Sequence, residues 1–283
     1  MRRSDRRVRT TELVLAVPGL PPEPGAVRVV FLSDLHVGRM HVPLEDLLTA
    51  VEVAQPDVLL LGGDYTGGSQ FGDAALDAIA SLSEHCPTFG VLGNSDHNQL
   101  LDARQLRDIL RESGGELLVN QAGYAHLGDT RIELIGVDEP RHGSPDVAAA
   151  LEEVHGEADL RIGLSHSPAL WREMQDVNAP ISFFGHTHGG QVRLLGLEAH
   201  FTHLSYPRQL AAGLFRHKSG VDQPYRLASH WDIMRLRQPL RVSTEEGPLF
   251  YVSRGVGMGF LALRLSCPPE VVVAEFRAEA GAG

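Results

Sequence analysis

The stretch "VRVVFLSDLHVG", Val27 to Gly38, decides how the rest of the chain is read. Its first six residues are almost wholly apolar, and two residues later comes Asp34-x-His36. A nearly continuous apolar run of this length suits a strand buried on both faces. The same arrangement then recurs. Runs at 57–61, 88–92, 160–164 and 181–184 lead into Gly62-Gly63-Asp64, Gly93-Asn94-Ser95-Asp96-His97, Ser165-His166 and Gly185-His186-Thr187-His188-Gly189-Gly190. Three more β-like runs lie at 131–137, 248–253 and 271–276.

Helical patterns fall between the earlier runs. "VPLEDLLTAVEVAQP" has Pro43 suited to a first turn and Pro56 just past the end. "DARQLRDILRESGG" begins at Asp102 as N-cap and stops at Gly114-Gly115. "SPDVAAALEEVHG" offers Ser144 as cap, Pro145 at the first position and Gly156 as terminator. Strand alternating with helix implies an α/β layered domain. The pattern loosens near residue 195, so residues 195–247 read as a loop-rich excursion with a short helix near His230–Leu236. The division expected is an N-terminal basic segment with a lead-in strand over 1–26, then one domain over 27–278.

At 283 residues the chain can bury a sizeable core. Its formal net charge of −11 argues against non-specific nucleic-acid binding, which needs a basic patch. Two cysteines, Cys86 and Cys267, imply neither a disulfide framework nor a cysteine zinc site. "MRRSDRRVRT" is basic, but Glu12, Pro18, Pro21, Pro22, Glu23 and Pro24 break up the apolar region an export signal needs. The location expected is cytoplasmic, with peripheral contact to the membrane as a further expectation.

In α/β sheets, loops beyond the carboxyl ends of strands share one edge, where ligands bind. Five segments would thus converge. Carboxylate, imidazole and amide oxygen together describe a site able to hold manganese, iron, zinc or similar ions. In Asp34-x-His36 and His186-x-His188, an extended backbone would point both side chains of each pair the same way. One such pair alone is weak; the order and strand-end placement of all five carry the reading.

That order, Asp-x-His, Gly-Asp, Gly-Asn, His, Gly-His-x-His, resembles the calcineurin-like metallophosphoesterase superfamily over residues 27 to 276. "GHTHGGQ", "YPRQLAAGLF" and "YVSRGVGMG…CPPEVVVAEF" look like its bacterial phosphodiesterase branch, which includes sugar-nucleotide pyrophosphatases of lipid A synthesis. The resemblance implies a four-layer αββα sandwich of two mixed sheets flanked by helices. It implies two divalent ions, manganese first, with iron, zinc, nickel or magnesium as alternatives. Asp34, His36, Asp64 and His188 would hold one, and Asp64, Asn94, His166 and His186 the other, with Asp64 bridging.

Two such ions about 3.5–4 Å apart share a water, lower its pKa and bind a phosphoryl oxygen. The bridging hydroxide would attack phosphorus in line while the ions neutralise the equatorial oxygens. No protein nucleophile is needed, so Ser33, Ser165 and Ser167 read as turn or strand-end residues. The family usually has His after the metal-binding Asn; here the residue is Ser95. His97 swinging into that space, a weaker bond from Ser95, or a substrate needing no acid are the alternatives. Asp96 fits a partner that orients a ligand. Asn94 and Arg254 are candidate phosphate contacts. His142, His200, His203, His217 and His230 read as surface or loop residues.

The activity expected is a phosphodiesterase or pyrophosphatase acting on a phosphorylated small-molecule or lipid-linked substrate. A membrane-associated UDP-2,3-diacylglucosamine pyrophosphatase, with apolar residues at 231–236 near lipid, is one alternative. A non-catalytic metal-binding scaffold of the same fold is another.

Overall fold

The computed structural model describes residues 7–23, 25–40, 42–98, 101–194, 208–217, 223–259 and 261–279. The strands are β1 (Arg9–Val17), β2 (Val27–Leu32), β3 (Val58–Leu61), β4 (Thr88–Gly90), β5 (Glu116–Leu117), β6 (Gln121–Leu127) and β7 (Thr130–Val137), then β8 (Leu160–Ser165), β9 (Ile181–Phe184), β10 (Gly213–Arg216), β11 (Tyr225–Ser229), β12 (Leu240–Ser243), β13 (Leu249–Val252) and β14 (Glu270–Ala278). The α-helices are α1 (Leu44–Ala54), α2 (Gly72–Leu82), α3 (Ala103–Glu112), α4 (Val147–Glu152) and α5 (His230–Arg235).

Two seven-stranded sheets form, in the orders β12-β1-β14-β2-β3-β4-β5 and β11-β10-β13-β9-β8-β7-β6. Both are mixed. In the first, β2 to β5 run parallel while β14 is antiparallel to β2. In the second, β7, β8, β9 and β13 run parallel, and β6 and β10 are antiparallel neighbours.

The central strands are apolar without a break because each faces two cores. Val29, Phe31 and Leu60 point between the sheets, where they join Leu134, Ile162, Leu164 and Phe183. Their neighbours Val30, Leu32, Leu59 and Leu61 point outward, under α1, α2 and α3. Period-two alternation thus buries both sets, one in each core. Phe31 and Phe183 meet across the inter-sheet layer with ring centroids 5.1 Å apart. A third core, with Phe184, Phe250 and Trp171, lies on the outer face of the second sheet beneath α4. This is the four-layer αββα arrangement.

Some boundaries differ from the sequence reading. Arg9–Val17, a strand within the 1–26 lead-in, is hydrogen-bonded between β12 and β14 and so adds to the first sheet. The excursion contributes β10, β11, α5 and β12 to the two sheets and their flanks. His200 and His203 lie outside the described residues. The cap of α4 is Asp146, whose carboxylate accepts the N–H of Ala149 at 2.9 Å. Ser144 lies further back, in the preceding turn, where Asp138 accepts its N–H and Asn120 donates to its carbonyl. Asp102 does cap α3, accepting from Arg104 and Gln105. Among the described residues, no helix is long and apolar enough to cross a membrane.

Candidate metal centre

Because β2, β3 and β4 run parallel, their carboxyl ends deliver Asp34, Asp64 and Asn94 to one edge. β8 and β9 deliver His166, His186 and His188 to the matching edge of the second sheet. Hydrogen bonds stitch the edges together. The N–H of His186 donates to both carboxylate oxygens of Asp34 at 2.9 and 3.1 Å, and His166 Nδ1 lies 2.7 Å from the carbonyl oxygen of Gly62.

The extended backbone expected around Asp34-x-His36 and His186-x-His188 is not what the chain adopts. Asp34, His36, Asp64, His186 and His188 all have positive φ, between +42° and +67°. A non-glycine residue there is uncommon, and each costs on the order of 1–3 kcal/mol. The surrounding bonds hold it: Asp34 N–H to the carbonyl of Gly63 and His36 N–H to the carbonyl of Asp64, both at 3.0 Å. These kinks turn the chain sharply, so His186 and His188 diverge into separate groups.

Asp34, His36 and His188 bring one possible ligand atom each within 4.8 Å of one another, and Asp64, His166 and His186 do the same. The two groups meet at Asp64. Its Oδ2 lies 3.4 Å from His36 Nε2 and 3.6 Å from His166 Nε2. In the first group His188 Nε2 is 3.5 Å from Asp34 Oδ1, and in the second His166 Nε2 is 3.0 Å from His186 Nδ1. Asn94 stands beside them in an open cleft of about 570 Å³.

Three buried polar atoms here have no hydrogen-bond partner among the described residues: His36 Nε2, Asn94 Oδ1 and His188 Nδ1. Buried polar atoms are rarely left unpaired, and such exceptions in one cleft call for a missing ligand. Oxygen and imidazole donors with free lone pairs fit divalent ions. Two of the histidines, His186 and His188, favour the neutral form. Burial, reinforced by His166, lowers the His186 pKa to about 4, and burial with His36 pushes His188 well below its ordinary value. His166 moves the other way: burial opposes its charge, but Asp64 and Asp34 outweigh that and raise it. For Asp64, burial works against ionisation, and His166 and His36 overcome it to lower its pKa.

Neighbouring groups orient these side chains. Ser33 Oγ donates to Asp34 Oδ2 at 2.6 Å, and the Ser95 N–H donates to Asp64 Oδ1 at 2.8 Å. Buried Asp96 accepts the N–H groups of Asp64, Gly93 and Tyr65. Burial and nearby Asp64 raise its pKa to about 7.

Residues 27–190, more than half the chain, match the family described as calcineurin-like phosphoesterase. The chain belongs to that family. It is therefore a metal-dependent phosphoester hydrolase. This family member is 30% identical over 255 residues to a protein of Escherichia coli named phosphodiesterase YaeI, covering 88% of this chain and 81% of that one. It is 23% identical to the uncharacterized metallophosphoesterase YkoQ of Bacillus subtilis, covering 89% and 84%. To a Chlamydia trachomatis protein named UDP-2,3-diacylglucosamine pyrophosphatase LpxG it is 24% identical, covering 87% and 82%.

Other expected site residues of the phosphoesterase lie elsewhere. His97 is turned to Asp138, with Nε2 and Oδ1 2.6 Å apart, and does not line the cleft. Asp96 is enclosed by backbone donors and faces no substrate space. Arg254 is only 1% exposed, and its guanidinium pairs with buried Glu270 at 2.6 Å. An arginine so engaged has nothing to offer a phosphate. His230 is buried with Nε2 2.9 Å from the Ser266 carbonyl oxygen, His217 packs beside Trp171, and His142 is exposed. Ile233 and Leu236 pack inward on the inter-sheet core, and Met234 Sδ accepts from Arg254, so these apolar residues are not free for lipid.

Sequence reasoning missed Arg39 and Arg141, which both line the cleft. Arg141 sits in "DEPRHGSP", just beyond a predicted strand. That strand-end position was the available signal.

Proposed function

We propose that the protein hydrolyses phosphodiesters at a pair of divalent ions, manganese first among the candidates. Asp34, His36, Asp64 and His188 would hold one ion; Asp64, Asn94, His166 and His186 would hold the other. The observation that carries this reading is Asp64 Oδ2, set 3.4 and 3.6 Å from imidazole nitrogens of the two groups. A carboxylate so placed would serve both. When bound, the ions supply an activated water for in-line attack on phosphorus and positive charge for the phosphoryl oxygens.

The chain's own residues set that chemistry up. Donation from His166 Nδ1–H to the Gly62 carbonyl leaves the Nε2 lone pair facing Asp64. Ser33 fixes Asp34 Oδ2 and the Ser95 N–H fixes Asp64 Oδ1, which would leave Asp64 Oδ2 and a remaining lone pair on Asp34 Oδ1 for metal. Neither His97 nor Asp96 is assigned as proton donor, which favours substrates with a good leaving group.

The test uses metal-stripped protein resupplied with manganese, on bis-p-nitrophenyl phosphate and p-nitrophenyl phosphate. The diester should turn over faster. No turnover of either with two ions bound would overturn the reading. A second reading, a UDP-2,3-diacylglucosamine pyrophosphatase meeting a lipid-linked substrate at the membrane surface, is supported by the name of the Chlamydia relative. Turnover confined to a UDP-linked lipid would establish it instead.

A further inference from the structure

The cleft is notable for the charge it holds beyond the ligands. Although the protein's formal net charge is −11, among the described residues the only charged side chains lining the cleft besides the candidate ligands are Arg39 and Arg141. They differ in commitment. Arg39 Nη1 donates to the carbonyl of Gly259 at 3.4 Å. The Arg141 guanidinium has no hydrogen-bond or ion-pair partner among the described residues, and the residue is exposed.

The backbone beneath Arg141 is, in contrast, held firmly. Buried Glu139 accepts the N–H groups of Arg141 and His142 through Oε2, at 2.9 and 2.7 Å. Asp138 accepts from Glu139 and Ser144, and Asn120 accepts from Asp138 and Asp146. A free guanidinium on a fixed base is suited to an incoming anion, because little backbone freedom is lost on binding. The turn has one further brace, the 2.6 Å contact of Asp138 Oδ1 with His97 Nε2. His97 belongs to the turn that carries Asn94 and Ser95, after β4 of the first sheet. Asp138 and Arg141 follow β7 of the second. The contact therefore ties the turn bearing Asn94 to the turn bearing Arg141.

We propose that Arg141 contacts a non-bridging oxygen of the substrate's phosphoryl group, and that the His97–Asp138 contact positions it. This assignment rests on the phosphoesterase reading above. It gives Arg141 the anion-binding task at the side of the cleft where Ser95 presents only a short hydroxyl side chain. Guanidinium suits it, since its planar paired N–H donors match phosphate oxygens. His97 acts through Arg141 and is a positioning residue.

The experiment compares manganese-loaded wild type, Arg141→Ala, Arg141→Lys, His97→Ala and the double variant His97→Ala/Arg141→Ala. Turnover of bis-p-nitrophenyl phosphate is measured, and so is calorimetric binding of inorganic phosphate. Arg141→Ala should lower kcat/KM and weaken phosphate binding about tenfold or more, with manganese stoichiometry unchanged. Added guanidinium chloride at millimolar level should restore part of the Arg141→Ala loss, and lysine should restore less than arginine provides. His97→Ala should lower kcat/KM in the wild-type background and have little effect once Arg141 is absent. Losses below twofold in Arg141→Ala, no guanidinium rescue, or additive losses in the double variant would each overturn the assignment. Wild type with two ions bound and no turnover would instead overturn the phosphodiesterase reading, while phosphate binding would still report on Arg141.

Discussion

Asp96 Oδ2 accepts the main-chain N–H of Asp64 at 2.8 Å. The same oxygen takes the N–H of Gly93, and Oδ1 takes that of Tyr65. One side chain thus secures the strained turn that presents Asp64, whose φ is +55°. Replacing Asp96 with Ala should lower manganese affinity about 10–100-fold, the range typical for losing a group that orients a ligand. Calorimetric titration with manganese checks it, and unchanged affinity would remove Asp96 from the site's supports.

Asp64 itself should be less forgiving. In Asp64→Asn one oxygen and the negative charge disappear from the point where the two groups meet. The expected outcome is protein that folds but binds fewer than two ions. Metal analysis after gel filtration reads this directly, and a retained stoichiometry of two would refute the shared-ligand geometry.

Gly185 tests how tightly the two sheet edges are fitted. A Cβ there would collide with Ser33 Oγ and lie 2.5 Å from Asp34 Oδ2. Gly185→Ala should destabilise the fold by about 1–3 kcal/mol, as overpacking generally does, and displace Asp34. Urea unfolding and metal titration, run side by side, measure the two effects.

The strand-end placement of Asp34, Asp64, Asn94, His166 and His186 was legible because both sheets are parallel where these residues lie. A parallel strand buried on both faces announces itself as an apolar run, and its end is plain. What could not be read was conformation. Nothing in Asp-x-His distinguishes an extended pair from the two left-handed residues at Asp34 and His36, since tertiary bonds impose that choice. β10 and β12 escaped notice for another reason. Each is four residues long; β10 has only Leu214 and Phe215 before Arg216 ends it, and Arg241 interrupts the apolar pattern of β12. Arg254 misled because an arginine past a strand end looks the same in sequence whether it meets phosphate or a buried glutamate 16 residues on.

That buried pair supports a fourth expectation. Glu270 accepts from Thr11, Tyr251, Ser253 and Arg254, all of them buried. Glu270→Ala would leave the Arg254 charge without its partner, and loss of one member of a buried pair costs about 3–5 kcal/mol. Denaturant titration should show the loss, while manganese stoichiometry of the folded fraction stays at the wild-type value. A loss under 1 kcal/mol would mean that water reaches Arg254.

Chelation offers a fifth. The centre concentrates carboxylates and unpaired buried atoms, and a ligand that binds only the folded chain stabilises it. Manganese at 100 times its dissociation constant should add about 2.7 kcal/mol per site by mass action. Thermal unfolding with and without chelator measures the difference, and equal midpoints would argue against metal binding in the folded state.

The division of ligands between the layers has a consequence for how the chain becomes an enzyme. Asp34 and His36 stand on one sheet and His188 on the other; Asp64 stands on the first and His166 with His186 on the second. On the proposed assignment neither sheet alone would own a complete set for either ion. Tight metal capture would then come after the two layers have docked, late in the maturation of the chain. A newly made molecule with one layer misplaced would be blind to metal, and so could not hydrolyse anything prematurely.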